Sequence, residues 1–282
     1  MYEAYYGLSE KPFSILPDPE LIYWGPNHRL AYAMLEFGVM NSAGFTVITG
    51  EIGSGKTTLI RHLLRKLDPN INVGLISNTP HGRKELLQWI MMSLNQPFDD
   101  KYSNLIFQFQ QYLEVQHAKR HRTLLIIDEA QNLQPDSLET LRMLSNINTD
   151  KNQFLQLILV GQPQLKKLLC SPALTQFAQR ISSDFHLKPL GSGEVSQYID
   201  YRLQVVGAKH PLFSNEACAA IAQASAGIPR TINILCDTAL VYGFASQATR
   251  ITKKIVDLVI EDKRTFGVFD LPRPAPETAG HE

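Results

Sequence analysis

The sequence has 282 residues, is 44% hydrophobic, and balances 27 Lys plus Arg against 27 Asp plus Glu for a formal net charge of zero. That length and composition suit one large α/β core with a smaller appended domain and exclude a fibrous or disordered chain. The charge balance lacks the global footprint of many nucleic-acid binders and leaves only local basic patches to consider.

The opening, Tyr2 to Pro26, is dense in aromatics and prolines, which predicts an irregular segment packed on the core. Apolar spacing then predicts a helix over 28–41, followed by a buried strand at 45–49. Alternation continues with a helix at 56–67, a strand at 72–77, helices at 83–94 and 104–119, and a strand at 123–128. A helix at 135–146, a strand at 154–160 and a short strand at 184–187 complete it. Strands separated by helices imply a mainly parallel sheet covered on both faces. Beyond Gly193 only helices are expected, at about 194–206, 214–225, 230–247 and 251–263. The proline-rich tail from Phe266 reads as poorly ordered. The expected division is an α/β domain over 1–190 that includes the irregular opening, a helical domain over 191–265 and a disordered tail over 266–282.

Cys170, Cys218 and Cys236 are widely spaced, which fits reduced structural thiols better than a disulfide framework or a zinc site. No apolar run reaches the roughly 18–20 residues of a membrane-spanning helix, and Met1 to Glu10 has no signal-peptide pattern, so the expected location is cytoplasmic without a transmembrane segment.

Between the first strand and the next helix lies Gly50-Glu51-Ile52-Gly53-Ser54-Gly55-Lys56-Thr57, which fits G-x-x-x-x-G-K-[ST]. Its glycines let backbone N–H groups turn inward at the positive end of a helix, forming an anion nest for the β-phosphate. Gly50, Gly53, Ser54, Gly55, Lys56, Thr57 and Thr58 are the expected nucleotide-binding residues. Lys56 would reach the β- and γ-phosphates, and the Thr57 hydroxyl would ligate Mg²⁺.

The run Leu124-Leu125-Ile126-Ile127-Asp128-Glu129 is an apolar strand ending in two carboxylates, at the strand end where an open α/β sheet binds its ligand. Asp128 would hold Mg²⁺ through water and Glu129 would deprotonate the water attacking the γ-phosphate. The competing reading is an acidic first turn of the next helix. Together with the phosphate loop, the pair predicts Mg²⁺-dependent hydrolysis of a nucleoside triphosphate.

The Asp-Glu pair and Gly227-Ile228-Pro229-Arg230 with Ile232-Asn233 resemble the AAA+ ATPases. More narrowly, Tyr5-Tyr6-Gly7-Leu8, Lys11-Pro12-Phe13, Pro17-Asp18-Pro19, Asp128-Glu129-Ala130-Gln131-Asn132-Leu133 and Leu159-Val160-Gly161-Gln162-Pro163 are similar to the ExeA/GspA-type ATPases of general secretion. The similarity extends over about residues 2–264. It implies ATP as the nucleotide, a P-loop NTPase sheet of the AAA+ kind with a small all-helical C-terminal lid, and a ring or filament of identical subunits. It also implies that Arg230 is a sensor-2 arginine and that Arg180 is an arginine finger offered to a neighbouring subunit. A salt bridge is the competing reading for each. Gln162 takes the sensor-1 position, where Asn or Thr is usual. Asn78 is read either as holding Glu129 inactive until a partner binds or as a turn residue.

ExeA/GspA proteins resemble this chain only in their ATPase half, which points to a stand-alone protein acting on an unidentified protein partner in secretion or surface assembly. One alternative is a transposition regulator resembling the TnsC/TniB ATPases and bound to duplex DNA, with Lys119, Arg120, His121, Arg122, Arg61, Arg65 and Lys66 as basic candidates. Another is a slow nucleotide-gated scaffold.

Overall fold

A computed structural model of the chain describes every residue except Pro17, Ser42, Asn78, Thr79, His81, 149–152, 268–270 and 272–282, along with all side chains of the described residues but that of Pro19. Asn78 and nearly all of the tail therefore lie outside the described residues. Among the described residues there are five strands: β1 (Phe45–Gly50), β2 (Ile71–Ile76), β3 (Arg122–Ile127), β4 (Leu155–Gly161) and β5 (Ile181–Leu187). The helices are α1 (Tyr2–Tyr6), α2 (Pro26–Met40), α3 (Lys56–Lys66), α4 (Arg83–Ser93), α5 (Tyr102–Ala118), α6 (Pro135–Leu144), α7 (Pro163–Leu169), α8 (Thr175–Ala178), α9 (Ser192–Val205), α10 (Asn215–Ser225), α11 (Pro229–Ala245) and α12 (Lys253–Phe266).

The chain divides into two compact units. The sheet unit comprises His28–Glu51 and Leu59–Leu187. Its strands are all parallel, in the order β2-β3-β4-β1-β5. Successive side chains of a strand point to opposite faces, so a strand buried on every residue must be covered on both; β1 and β4 are of this kind. Phe45, Val47, Leu125, Ile127, Leu157 and Leu159 pack with residues of α4, α5, α6 and α7 in one core. The other face takes α2, which approaches closely at Gly38: a Cβ there would lie 2.5 Å from the Thr46 hydroxyl oxygen. The Gln156 side chain donates to the Gly38 and Val39 carbonyls at 3.3 and 3.2 Å, and Arg122 Nη1 donates to the Val39 carbonyl at 3.0 Å. Arg122, one of the candidate basic residues, is half-buried and directs this N–H to α2.

The helical unit comprises Met1–Asn27, Ile52–Thr58 and Lys188–Glu282. Tyr2, Leu8 and Phe13 of the opening segment join one core with Val195, Ile199, Leu235 and Val256. Tyr2–Tyr6 is helical, ended by Gly7 at φ 70°, where the sequence predicts no regular element. Polar buckles hold this segment. Ser9 N–H donates to the Val206 carbonyl at 2.9 Å, and Asn233 Nδ2 donates to the Ser14 carbonyl at 3.0 Å. Arg202, buried on α9, donates from Nε to the Pro12 carbonyl at 2.6 Å and lies over the Tyr198 ring. These contacts satisfy carbonyls that a segment without a hydrogen-bond ladder leaves open.

Candidate nucleotide site

Each unit carries one part of the expected chemistry. Gly50 ends β1 and Lys56 begins α3, so the intervening loop occupies a strand-to-helix turn. Gly53 and Gly55 have φ of +80° and +100°, which L-residues with a side chain rarely adopt and which turn successive N–H groups to one side. Ser54 and Lys56 are buried, while Thr57 and Thr58 are half-buried. Buried N–H groups at a helix start, in a positive-φ nest, make a site for a phosphate.

Within the helical unit this loop meets the start of α11. The Arg230 N–H donates to the Gly53 carbonyl at 3.2 Å. A Cβ on Gly53 would stand 2.4 Å from Arg230 Cβ, so the arginine stem lies directly over the glycine. Arg230 follows Pro229 at the first turn of α11 and is exposed. Its approach is fixed by Gly227, at φ +72°, whose carbonyl accepts the Leu190 N–H at 2.9 Å. A Cβ at 227 would be 2.0 Å from the Leu190 carbonyl oxygen, a distance no side chain can occupy. Thus the Gly-Ile-Pro-Arg run is a tight turn that sets the stem of Arg230 against the phosphate loop.

The carboxylates stand in the sheet unit. Asp128 directly follows β3, and its N–H donates to the Ile76 carbonyl at 2.8 Å, extending the ladder by one bond. Glu129 then turns into the left-handed region, at φ 54° and ψ 33°, and its N–H donates to Asp128 Oδ1 at 2.9 Å. A non-glycine residue in this conformation is a local strain of the kind that collects at functional sites. Two side-chain amides converge on its carboxylate. Gln131 Nε2 donates to Glu129 Oε2 at 2.6 Å, and Gln162 Nε2 donates to the same oxygen at 3.3 Å. The Gln162 N–H in turn donates to Gln131 Oε1 at 2.9 Å. Glu129, Gln131 and Gln162 therefore form a closed polar cluster across the ends of β3 and β4.

The position of Gln131 in the sequence alone indicates no role for it. The only available signal was its place two residues past a strand-end glutamate, because its reach depends on the short 3₁₀ turn Ala130–Asn132. Arg180 lies apart from this cluster in its contacts. Its Nη1 donates to Ser145 Oγ at 2.6 Å and to the Arg142 carbonyl at 3.4 Å, and its Nη2 donates to Asn146 Oδ1. These groups close the C-terminal end of α6, where a cation complements the helix dipole. No carboxylate lies within salt-bridge distance of Arg180 among the described residues. Glu139, beside it on α6, is instead held by Arg142, which keeps its carboxyl below the ordinary range.

Among the described residues no three His, Cys, Asp or Glu side chains are arranged to hold a metal by themselves. A magnesium ion carried on a nucleotide needs fewer, since phosphate oxygens and waters complete its octahedral shell around one or two hard oxygen ligands. The Thr57 hydroxyl and the Asp128 carboxylate are oxygen donors of that kind. No helix among the described residues is long and apolar enough to cross a membrane.

A family profile described as an AAA domain matches residues 39–169. General secretion pathway protein A of Aeromonas hydrophila is 40% identical over 260 residues, covering 92% of this chain and 48% of its own length. The chain thus spans about half of that relative. Among solved structures, the Aeropyrum pernix ORC2 protein matches with a TM-score of 0.66 at 16% identity, over 90% of this chain and 72% of its own. The Thermotoga maritima RuvB Holliday junction branch migration motor matches with a TM-score of 0.55 at 20% identity, over 88% and 73%. At such identities the likeness is one of fold.

Proposed function

Because this chain is an AAA ATPase like general secretion pathway protein A, we propose that it hydrolyses ATP with Mg²⁺ and assembles with copies of itself to act on a protein partner. The observation that carries this reading is the glutamate two residues beyond an interior parallel strand, with its carboxylate held by two amides and, among the described residues, by no cation. Such a group accepts a proton from a water.

In this account Gly50, Gly53, Ser54, Gly55, Lys56, Thr57 and Thr58 hold the nucleotide, and Lys56 neutralises charge on the β- and γ-phosphates. Thr57 and Asp128 would hold Mg²⁺, which would supply positive charge to offset that developing on the phosphate oxygens. Glu129 takes the proton of the attacking water, and Gln162, at the sensor-1 position, senses that water or the γ-phosphate. Arg230, exposed and over Gly53, supplies a cation to the γ-phosphate of its own subunit. Arg180 supplies one to the neighbouring subunit's nucleotide, exchanging its bonds at the end of α6 for bonds to phosphate. The partner belongs to a secretion or surface-assembly complex, in keeping with the relative's name.

The test is ATP turnover per subunit against protein concentration, with and without duplex DNA, for wild type and Arg180→Ala. Turnover per subunit should rise with concentration, and Arg180→Ala should lower it by about 10³-fold or more, the scale of a trans-acting arginine. Flat turnover with a silent Arg180→Ala would leave a monomeric switch. Stimulation by DNA that falls steeply with salt would replace the protein partner by the duplex.

A further inference from the structure

We infer that Gln131 is the positioning residue for Glu129, holding one carboxylate oxygen so that the other faces the attacking water. This rests on the hydrolysis reading above and gives a specific part to one of the two amides that meet the Glu129 carboxylate.

The orientation of the Gln131 amide follows from its neighbours. A backbone N–H can only donate, so the bond from the Gln162 N–H identifies the near atom of Gln131 as Oε1. Nε2 must then face the other way, and there it meets Glu129 Oε2 at 2.6 Å. The amide has one arrangement that satisfies both ends. Gln162 Nε2 adds a second, longer bond to the same Oε2 at 3.3 Å. Both amide bonds fall on Oε2 and, among the described residues, none falls on Oε1, so these residues pin the carboxylate at one oxygen.

The surroundings are shaped for this bridge. Ala130, buried beneath the turn, anchors the 3₁₀ segment that lifts Gln131 toward β4. Gly161, the last residue of β4, supplies the gap: a Cβ there would come within 2.7 Å of Gln131 Oε1. Gly161 has no positive φ, so its lack of a side chain serves space and not backbone freedom. The strained backbone of Glu129 aims the side chain, and Gln131 stops it rotating. A base fixed in this way loses rate steeply when its orientation is relaxed, because misplacement of about 1 Å costs on the order of 10²-fold.

The test compares Gln131→Met and Gln131→Glu with wild type and Glu129→Gln, measuring kcat, KM and Mg·ATP affinity on the full chain. Methionine keeps the length and removes the donor. Glutamate keeps the shape and the acceptor for the Gln162 N–H, but sets a second negative charge against Glu129. Gln131→Met should lower kcat by roughly 10- to 100-fold with KM and affinity within about threefold, and Gln131→Glu should lower it further. A packing role would reverse that order, since glutamate is the closer mimic of glutamine. The inference is overturned if Gln131→Met turns over at or above the wild-type rate, if Gln131→Glu is the milder change, or if both act only through lost ATP binding. If Glu129→Gln is inactive while Gln131→Met is active, the inference alone fails; if Glu129→Gln keeps its turnover, the hydrolysis reading fails and takes the inference with it.

Discussion

The phosphate loop and the acidic strand end reach their geometry by opposite means. The loop is built from backbone: positive φ at Gly53 and Gly55, a helix start at Lys56, and a glycine surface on which the Arg230 stem rests. The acidic end is built from side chains, with Glu129 held by the amides of Gln131 and Gln162. A backbone device tolerates no Cβ where it needs an L-forbidden conformation. A side-chain device tolerates a Cβ and loses function first.

Substitution of glycines in the two regions separates these modes. The largest effect is expected from Gly227→Ala, where a left-handed φ and a carbonyl 2.0 Å from the new Cβ combine. The strain and the forced shift should destabilise the helical unit by about 3–5 kcal/mol, read as a lower midpoint in urea unfolding. Gly53→Ala comes next. Its φ of +80° and the Arg230 stem 2.4 Å away should distort the loop, so that Mg·ATP affinity falls by roughly 30- to 100-fold, or about 2–3 kcal/mol; titration with a fluorescent ATP analogue would read it. Gly161→Ala should be the mildest in stability, at about 1–2 kcal/mol, because its φ is not positive and the atoms nearest the new Cβ belong to side chains, those of Gln131 and Leu165, and not to backbone. Its turnover should nevertheless fall with ATP affinity retained. Equal losses of affinity in Gly53→Ala and Gly161→Ala would erase the distinction.

The same contrast explains what was legible in the sequence. β1, β3 and β4 were readable because they are buried on nearly every residue and so appear as unbroken apolar runs. β5 is longer than its predicted 184–187, because Ser182, Asp184 and His186 are exposed on this edge strand and dilute the signal. The helices α1, α7 and α8 went unpredicted, since segments of four to seven residues hold too little of a 3.6-residue period to register. The phosphate loop was legible for a different reason: its conformation demands particular residues at particular spacing. Gln131 was not, because its role arises only when the 3₁₀ turn after β3 and the end of β4 stand side by side, in the register that pairs Ile127 with Leu159. The N-terminal segment shows the same limit. Its aromatics predict packing, but the buried Arg202 that fastens it sits some 190 residues further along.

The most direct test is Glu129→Gln, assayed for both Mg·ATP binding and turnover under conditions where the wild type is active. The change removes a base and keeps an acceptor of nearly the same shape. Binding should stay within about threefold of wild type while turnover falls by about 10²- to 10⁴-fold, the range of general-base catalysis. Turnover close to the wild-type rate, with binding intact, would contradict the account.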